Sequence, residues 1–197
     1  MLDPIIFGIL IVRFCKGRKG GRELLYEFDG KSPIVGRETY ISETAIVVGD
    51  VTIGDNCYIG HGAILRGDYG SIEIGSGTAV EEGVVIHAPP HKLCRIGEKV
   101  TIGHGAIIHS ASIGDNAVIG MGAILSIYSE IGSNTIVAEG GVVKMRQVIP
   151  EKIVAGGNPA RVLRKIAQKD MEYWDMGKEL YVNLAKKYIA LGMKRVG

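Results

Sequence analysis

The chain has 197 residues, enough for one domain with a substantial core. Its 23 Lys and Arg against 21 Asp and Glu leave a net charge of +2, which supplies no basic stripe for nucleic acid. Glycine is the outlier: 29 residues, about twice the usual share, in a chain that is 46% hydrophobic and therefore does not read as disordered. The first predicted element is an N-terminal extension, residues 1–30, partly flexible or packed against a partner. Its apolar run, Ile5 to Val12, falls short of the roughly 20 residues that span a bilayer. Asp3 precedes that run, and Arg13, Lys16, Arg18 and Lys19 follow it, the reverse of a secretory signal. The expectation is no transmembrane segment. Three cysteines (Cys15, Cys57 and Cys94) form no CxxC pair, which predicts reduced thiols and a cytoplasmic location.

Residues 31–158 carry an internal repeat. Aliphatic residues recur every six positions at Val35, Ile41, Val47, Ile53, Ile59 and Leu65. Three further registers follow: Ile74, Val80, Ile86; then Ile96, Ile102, Ile108; then Ile113 through Ile149 by way of Ile119, Leu125, Ile131, Val137 and Val143. Glycine often comes next, as at Gly54, Gly60, Gly75, Gly97, Gly103, Gly114, Gly120 and Gly132. A 3.6-residue period would scatter these aliphatics around a helix. Each unit therefore reads as one short strand plus a turn, with glycine supplying turn dihedrals. Three units close a triangle, and the triangles stack at about the 4.8 Å strand spacing. The sequence resembles the hexapeptide-repeat family, which implies a left-handed parallel β-helix. The expected class is mainly β, with about six triangular coils and a C-terminal α-helical segment. That segment, residues 159–197, begins where Pro159 suits a first helical turn. Leu180, Leu184, Tyr188 and Leu191 follow helical spacing there, and are expected to pack on the coil.

The breaks in register locate chemistry. Leu65 to Ile74 contains an insertion, as does Ile86 to Ile96, whereas Ile108 to Ile113 is one residue short. Counted in units, Leu65, Ile86 and Ile108 share one face of successive coils. Their outward successors Arg66, His87 and His109 then form a column, so the two imidazoles can converge on a metal ion. His104 lies on the neighbouring face near a corner, out of easy reach within its own subunit. A trimer would bring that corner to the His87/His109 edge of the next chain, giving three imidazoles and an open position, the ligand set of a catalytic zinc site. The plainer reading is a set of solvated histidines, and His61 and His91 are assigned to it.

The segments LRGD at 65–68, EEGVVIH at 81–87, VTIGHGAIIH at 100–109 and IGMGA at 119–123 resemble the γ-class carbonic anhydrases. The resemblance implies His87, His104 and His109 as ligands to Zn2+, with Fe2+ or Co2+ as alternatives, across the interface of a homotrimer. Arg66 and Asp68 fall on the family's Arg-x-Asp motif: the Arg pairs with an acidic residue across the interface and the Asp orients the metal-bound water. An interface salt bridge is the alternative role for both. Glu81, followed by Glu82, stands where the family often has Gln; a carboxylate accepts a hydrogen bond there but cannot donate one. Tyr69 and Pro90 stand near the places where the family's best-known member carries acidic loop residues for proton export; many members lack these acids. Tyr181 resembles a C-terminal tyrosine that approaches the site, with Asn183 a weaker candidate; packing on the coil is the alternative role for Tyr181. The function implied is reversible hydration of CO2 to bicarbonate, zinc lowering the pKa of bound water to about 7. The alternatives are an acyl-CoA thioesterase, a CoA-dependent acyltransferase, and a structural or assembly protein with a vestigial site.

Overall fold

The computed structural model describes residues 24–196. Three parallel sheet faces surround one core, each built from one short strand per turn. The first face stacks Leu24–Tyr26, the beginnings of Ile46–Ile53 and Ile64–Ile74, then Val85–His87, Ile107–His109, Ile124–Leu125 and Val142–Val143. The second takes Ile34–Val35, the far ends of the same two long strands, then Leu93–Ile96, Ser112–Ile113, Glu130–Ile131 and Val148–Ile149. The third runs from Tyr40–Ile41 through Tyr58–Ile59, Ala79–Val80, Thr101–Ile102, Val118–Ile119 and Ile136–Val137 to Ile153–Gly156.

These strands make seven turns, one more than the spacing predicts. The extra turn starts at Leu24–Tyr26, which pairs with Ile46–Val48, so the coil begins inside the segment read as an extension. Residues 1–23 of that extension, including the Ile5–Val12 run and Cys15, lie outside the described residues.

The six-residue beat turns one aliphatic side chain per strand inward. Leu65, Ile86, Ile108 and Leu125 are stacked on the first face, Ile53, Ile96 and Ile113 on the second, and Ile59, Ile102 and Ile119 on the third, all buried in one core. Each such side chain contributes roughly 1.5–3 kcal/mol on leaving water.

The glycines that follow these aliphatics do something other than supply turn dihedrals. The left-handed residues sit two positions further on, among them Asn56, Gly62, Gly83, Gly105, Asn116 and Gly122. At Gly120 the constraint is space: a Cβ there would stand 2.5 Å from the backbone nitrogen of Glu139 in the next turn. The chain rounds that corner so close to its neighbour that any side chain collides with it.

Beyond the coil the order differs from expectation. Pro159 does not open a helix; it follows a cis peptide in a turn. An antiparallel strand, Arg161–Lys165, then runs back along Ile153–Gly156, and the helix Gln168–Leu191 follows it. The helix packs on the third face through Tyr181, Leu184, Ala185 and Tyr188, against Tyr40, Tyr58 and Ala79. Leu180 and Leu191, read as packing residues, are exposed at 68% and 74%. The packed stripe lies beside Leu180 because the Tyr188 ring stacks on Tyr40 and the Tyr181 ring packs at a tilt against Tyr58. Lys178, also buried, anchors the helix by donating from Nζ to the Asn116 carbonyl at 3.0 Å.

Asp170 fastens the first helical turn. Its carboxylate accepts from both terminal nitrogens of Arg164 and from the Ala167 backbone N–H at 2.8 Å. The Arg164 hydrogen bonds, then the Ala167 N–H, hold its carboxyl at about 2, below the ordinary 3.8. A depressed carboxylate contributes stability above its unfolded value and loses it as pH falls through the folded one. Acid titration of Asp170→Asn followed by circular dichroism is therefore expected to lack the part of the loss that the parent shows between pH 3.8 and about 2.

Candidate metal centre

Strand register sets the first half of the site. Arg66 pairs with His87 across the first face, and His87 pairs with His109 one turn on. The two imidazoles stack with centroids 5.2 Å apart and planes 20° apart. Nε2 of His87 is buried with no hydrogen-bond partner among the described residues. The closest acid is Asp68, whose Oδ1 lies 3.7 Å from that nitrogen. Asp68 Oδ2 accepts from Arg66 Nη1 at 2.6 Å, so Arg66 meets an acid within its own chain. Burial alone would raise the Asp68 carboxyl, but the Arg66 hydrogen bond and charge hold it below the ordinary range. Burial, then the Arg66 and His109 charges, pull His87 down, which favours the neutral imidazole that metal coordination requires.

The second half lies at the corner between the third and first faces. His104 Nδ1 stands 2.8 Å from Glu82 Oε2, and its Nε2 stands 3.1 Å from Glu81 Oε2. The same Glu81 oxygen accepts the His104 backbone N–H at 3.1 Å. Burial raises the Glu81 carboxyl, against the opposing pull of Tyr181 and His104. Tyr181 is brought in by the helix; burial and then the neighbouring Glu81 carboxylate push its phenol up. Tyr58 Oη donates to Glu82 Oε1 at 2.6 Å.

The predicted residues thus fall into two groups. Arg66, Asp68, His87 and His109 come together on one, and Glu81, His104 and Tyr181 on the other. Among the described residues of a single chain, no three His, Cys, Asp or Glu side chains gather as a metal site. Asn183 belongs to neither group: it lines a groove between the helix and the corner carrying Asn56 and Asn116. Tyr69 is exposed at the corner after Asp68, and Pro90 sits in the inserted loop with the exposed His91. His61 is not simply solvated, because its Nδ1 lies 2.5 Å from Oγ of buried Ser42 and its ring meets Tyr188 edge-on. Tyr58, and its bond to Glu82, escaped the sequence reading. A signal was present: Tyr40 and Tyr58 both precede the inward aliphatic at the same phase of consecutive turns.

The donor chemistry of the first group suits a borderline metal ion. A buried imidazole nitrogen without a partner is costly unless something accepts its lone pair or proton. His87 Nε2 is such an atom, with a second imidazole stacked beside it.

Comparison with known proteins agrees with this architecture. The family described as bacterial transferase hexapeptide (six repeats) matches residues 32–67 and 93–126, and the hexapeptide repeat of succinyl-transferase matches 50–88. The mitochondrial gamma carbonic anhydrase 2 of Arabidopsis thaliana is 37% identical over 84% of this chain and 61% of its own length. This chain therefore spans less than two thirds of that relative. The carnitine operon protein CaiE of a Proteus species is 36% identical over 81% of each chain. A solved hexapeptide transferase family protein from Anaplasma phagocytophilum superimposes with a TM-score of 0.81, at 34% identity over 85% of this chain and 99% of that one. The chain belongs to the hexapeptide-repeat family of left-handed β-helices. Within it, the chain is γ-carbonic anhydrase-like.

Proposed function

We propose that the chain is a metal-dependent enzyme of γ-carbonic anhydrase type, hydrating CO2 reversibly as a homotrimer. His87 and His109 of one copy and His104 of its neighbour hold the ion, Zn2+ first, with Fe2+ or Co2+ as alternatives. The observation that carries this reading is the buried, unpartnered Nε2 of His87 beside the stacked His109 ring. The 37% identity to a gamma carbonic anhydrase supports it. When bound, such an ion supplies the Lewis acidity that makes water a nucleophile near neutral pH.

The chain's own groups do the rest. Asp68, kept anionic by Arg66, presents Oδ1 toward His87 as a hydrogen-bond acceptor that orients water. Glu81, whose carboxyl is raised by burial, takes up at Oε2 the proton that hydration releases. Tyr181 braces Glu81 from the helix. Cys57 and Cys94, buried and free among the described residues, suit a reducing compartment, and no described helix is long and apolar enough to cross a membrane.

A second reading, acyl transfer or thioester hydrolysis with CoA, is favoured by the transferase family match. Anaerobic metal analysis, then CO2 hydration with each metal beside a thioesterase and acyltransferase panel, separates the two. Bound metal with hydration supports the first reading. Turnover of a CoA ester alone supports the second, and a protein that holds no metal overturns the first.

A further inference from the structure

A metal-ligating histidine works only in the tautomer that leaves its coordinating nitrogen bare, and the atom opposite decides this. In His104 both ring nitrogens face carboxylates: Nδ1 faces Glu82 at 2.8 Å and Nε2 faces Glu81 at 3.1 Å. These two acids pull the ring proton in opposite directions. The Glu81 oxygen is also shared with the His104 backbone N–H, whereas Glu82 Oε2 is the closer partner.

Glu82 is in turn tied down. Its Oε1 accepts the phenolic hydrogen of Tyr58 at 2.6 Å, and that ring is 2% exposed. Tyr58 is wedged between Tyr40, 5.6 Å away by centroids, and Tyr181 of the helix, 5.2 Å away. The phenol cannot swing toward another acceptor without breaking this packing. Burial and the adjoining carboxylate raise its pKa, so it stays a donor.

We propose that Tyr58 is a positioning residue: acting through Glu82, it holds the His104 proton on Nδ1 and leaves Nε2 for the metal ion. This role rests on the metal reading above. The chain of contacts also joins the C-terminal helix to a ligand, because Tyr181 and Tyr188 hold the Tyr58 ring in place.

The test uses the full chain and two readouts. Zn2+ affinity is measured by competition with a chromophoric chelator, and the His104 tautomer by ring 15N NMR of the metal-free protein. Tyr58→Phe keeps the packed ring and removes only the donor. It is expected to weaken Zn2+ binding about tenfold, as loss of an outer partner does, and to raise the share of the Nε2–H form at His104. Glu82→Ala is expected to lose at least as much, and His104→Ala to lose the site. Unchanged affinity and tautomer in Tyr58→Phe, while His104→Ala loses Zn2+, overturns the role of Tyr58 and leaves the metal reading intact. A parent protein that binds no Zn2+, or a His104→Ala variant that binds it normally, overturns both.

Discussion

Chains carrying His87→Ala or His104→Ala are each expected to lose bound metal and CO2 hydration, and a mixture of the two to recover part of both. Each variant alone removes one imidazole from every site, a larger change than the roughly 10–100-fold that an outer contact costs. The mixture behaves differently because the two halves lie on separate surfaces of one chain. His87 and His109 stack on the first face, while His104 stands at the corner with Glu81 and Glu82. A site then forms wherever a His104→Ala chain offers its intact pair to a His87→Ala chain offering its intact corner. For random assembly in a cyclic trimer with head-to-tail interfaces, about one site in four has all three ligands. Metal content and hydration rate, measured after co-refolding equal amounts, give that fraction directly. A mixture as inactive as its components would mean that the ligands do not come from two chains.

Ile108→Ala is expected to lower stability by about 2–5 kcal/mol, the usual range for emptying a fully buried aliphatic site. Ile108 is completely buried between Ile86 and Leu125 and directly precedes His109. In a stack each turn meets only its neighbours, so the loss stays local before it becomes global. Hydrogen exchange should accelerate first at the amides of Val85–His87 and Ile124–Leu125. Chemical denaturation gives the total, and a loss under about 1 kcal/mol would show that the turns above and below collapse into the cavity.

The Arg66, His87 and His109 column was legible because a solenoid converts sequence distance into height. Three units make one turn, whatever is inserted at the corners, so counting units places outward residues above one another. The first turn was hidden for the opposite reason: Leu24–Tyr26 stands outside the regular beat, and only pairing with Ile46–Val48 reveals it. Helix spacing suggested a stripe through Leu180, but ring contacts with Tyr40 and Tyr58 selected the stripe through Tyr181 and Tyr188. Hydropathy cannot anticipate that choice, since a tyrosine ranks below leucine and yet offers more flat surface. The link from Tyr58 to Glu82 crosses between two turns, and spacing along the chain does not encode which outward side chains meet there.

A pile of identical parallel layers has no intrinsic reason to stop, since its last layer exposes the same unpaired amides and carbonyls as every layer before it. Here the reversed segment Arg161–Lys165 lies along Ile153–Gly156 and changes the direction of the final layer. All five of its residues are exposed; Arg164 is paired with Asp170, and Arg161 and Lys165 add positive charge at that end. On that face, an incoming molecule arriving end-on would meet a strand of the wrong polarity flanked by Arg161 and Lys165, both of which oppose edge-to-edge growth. Parallel stacking is thereby ended on the third face at the C-terminal end.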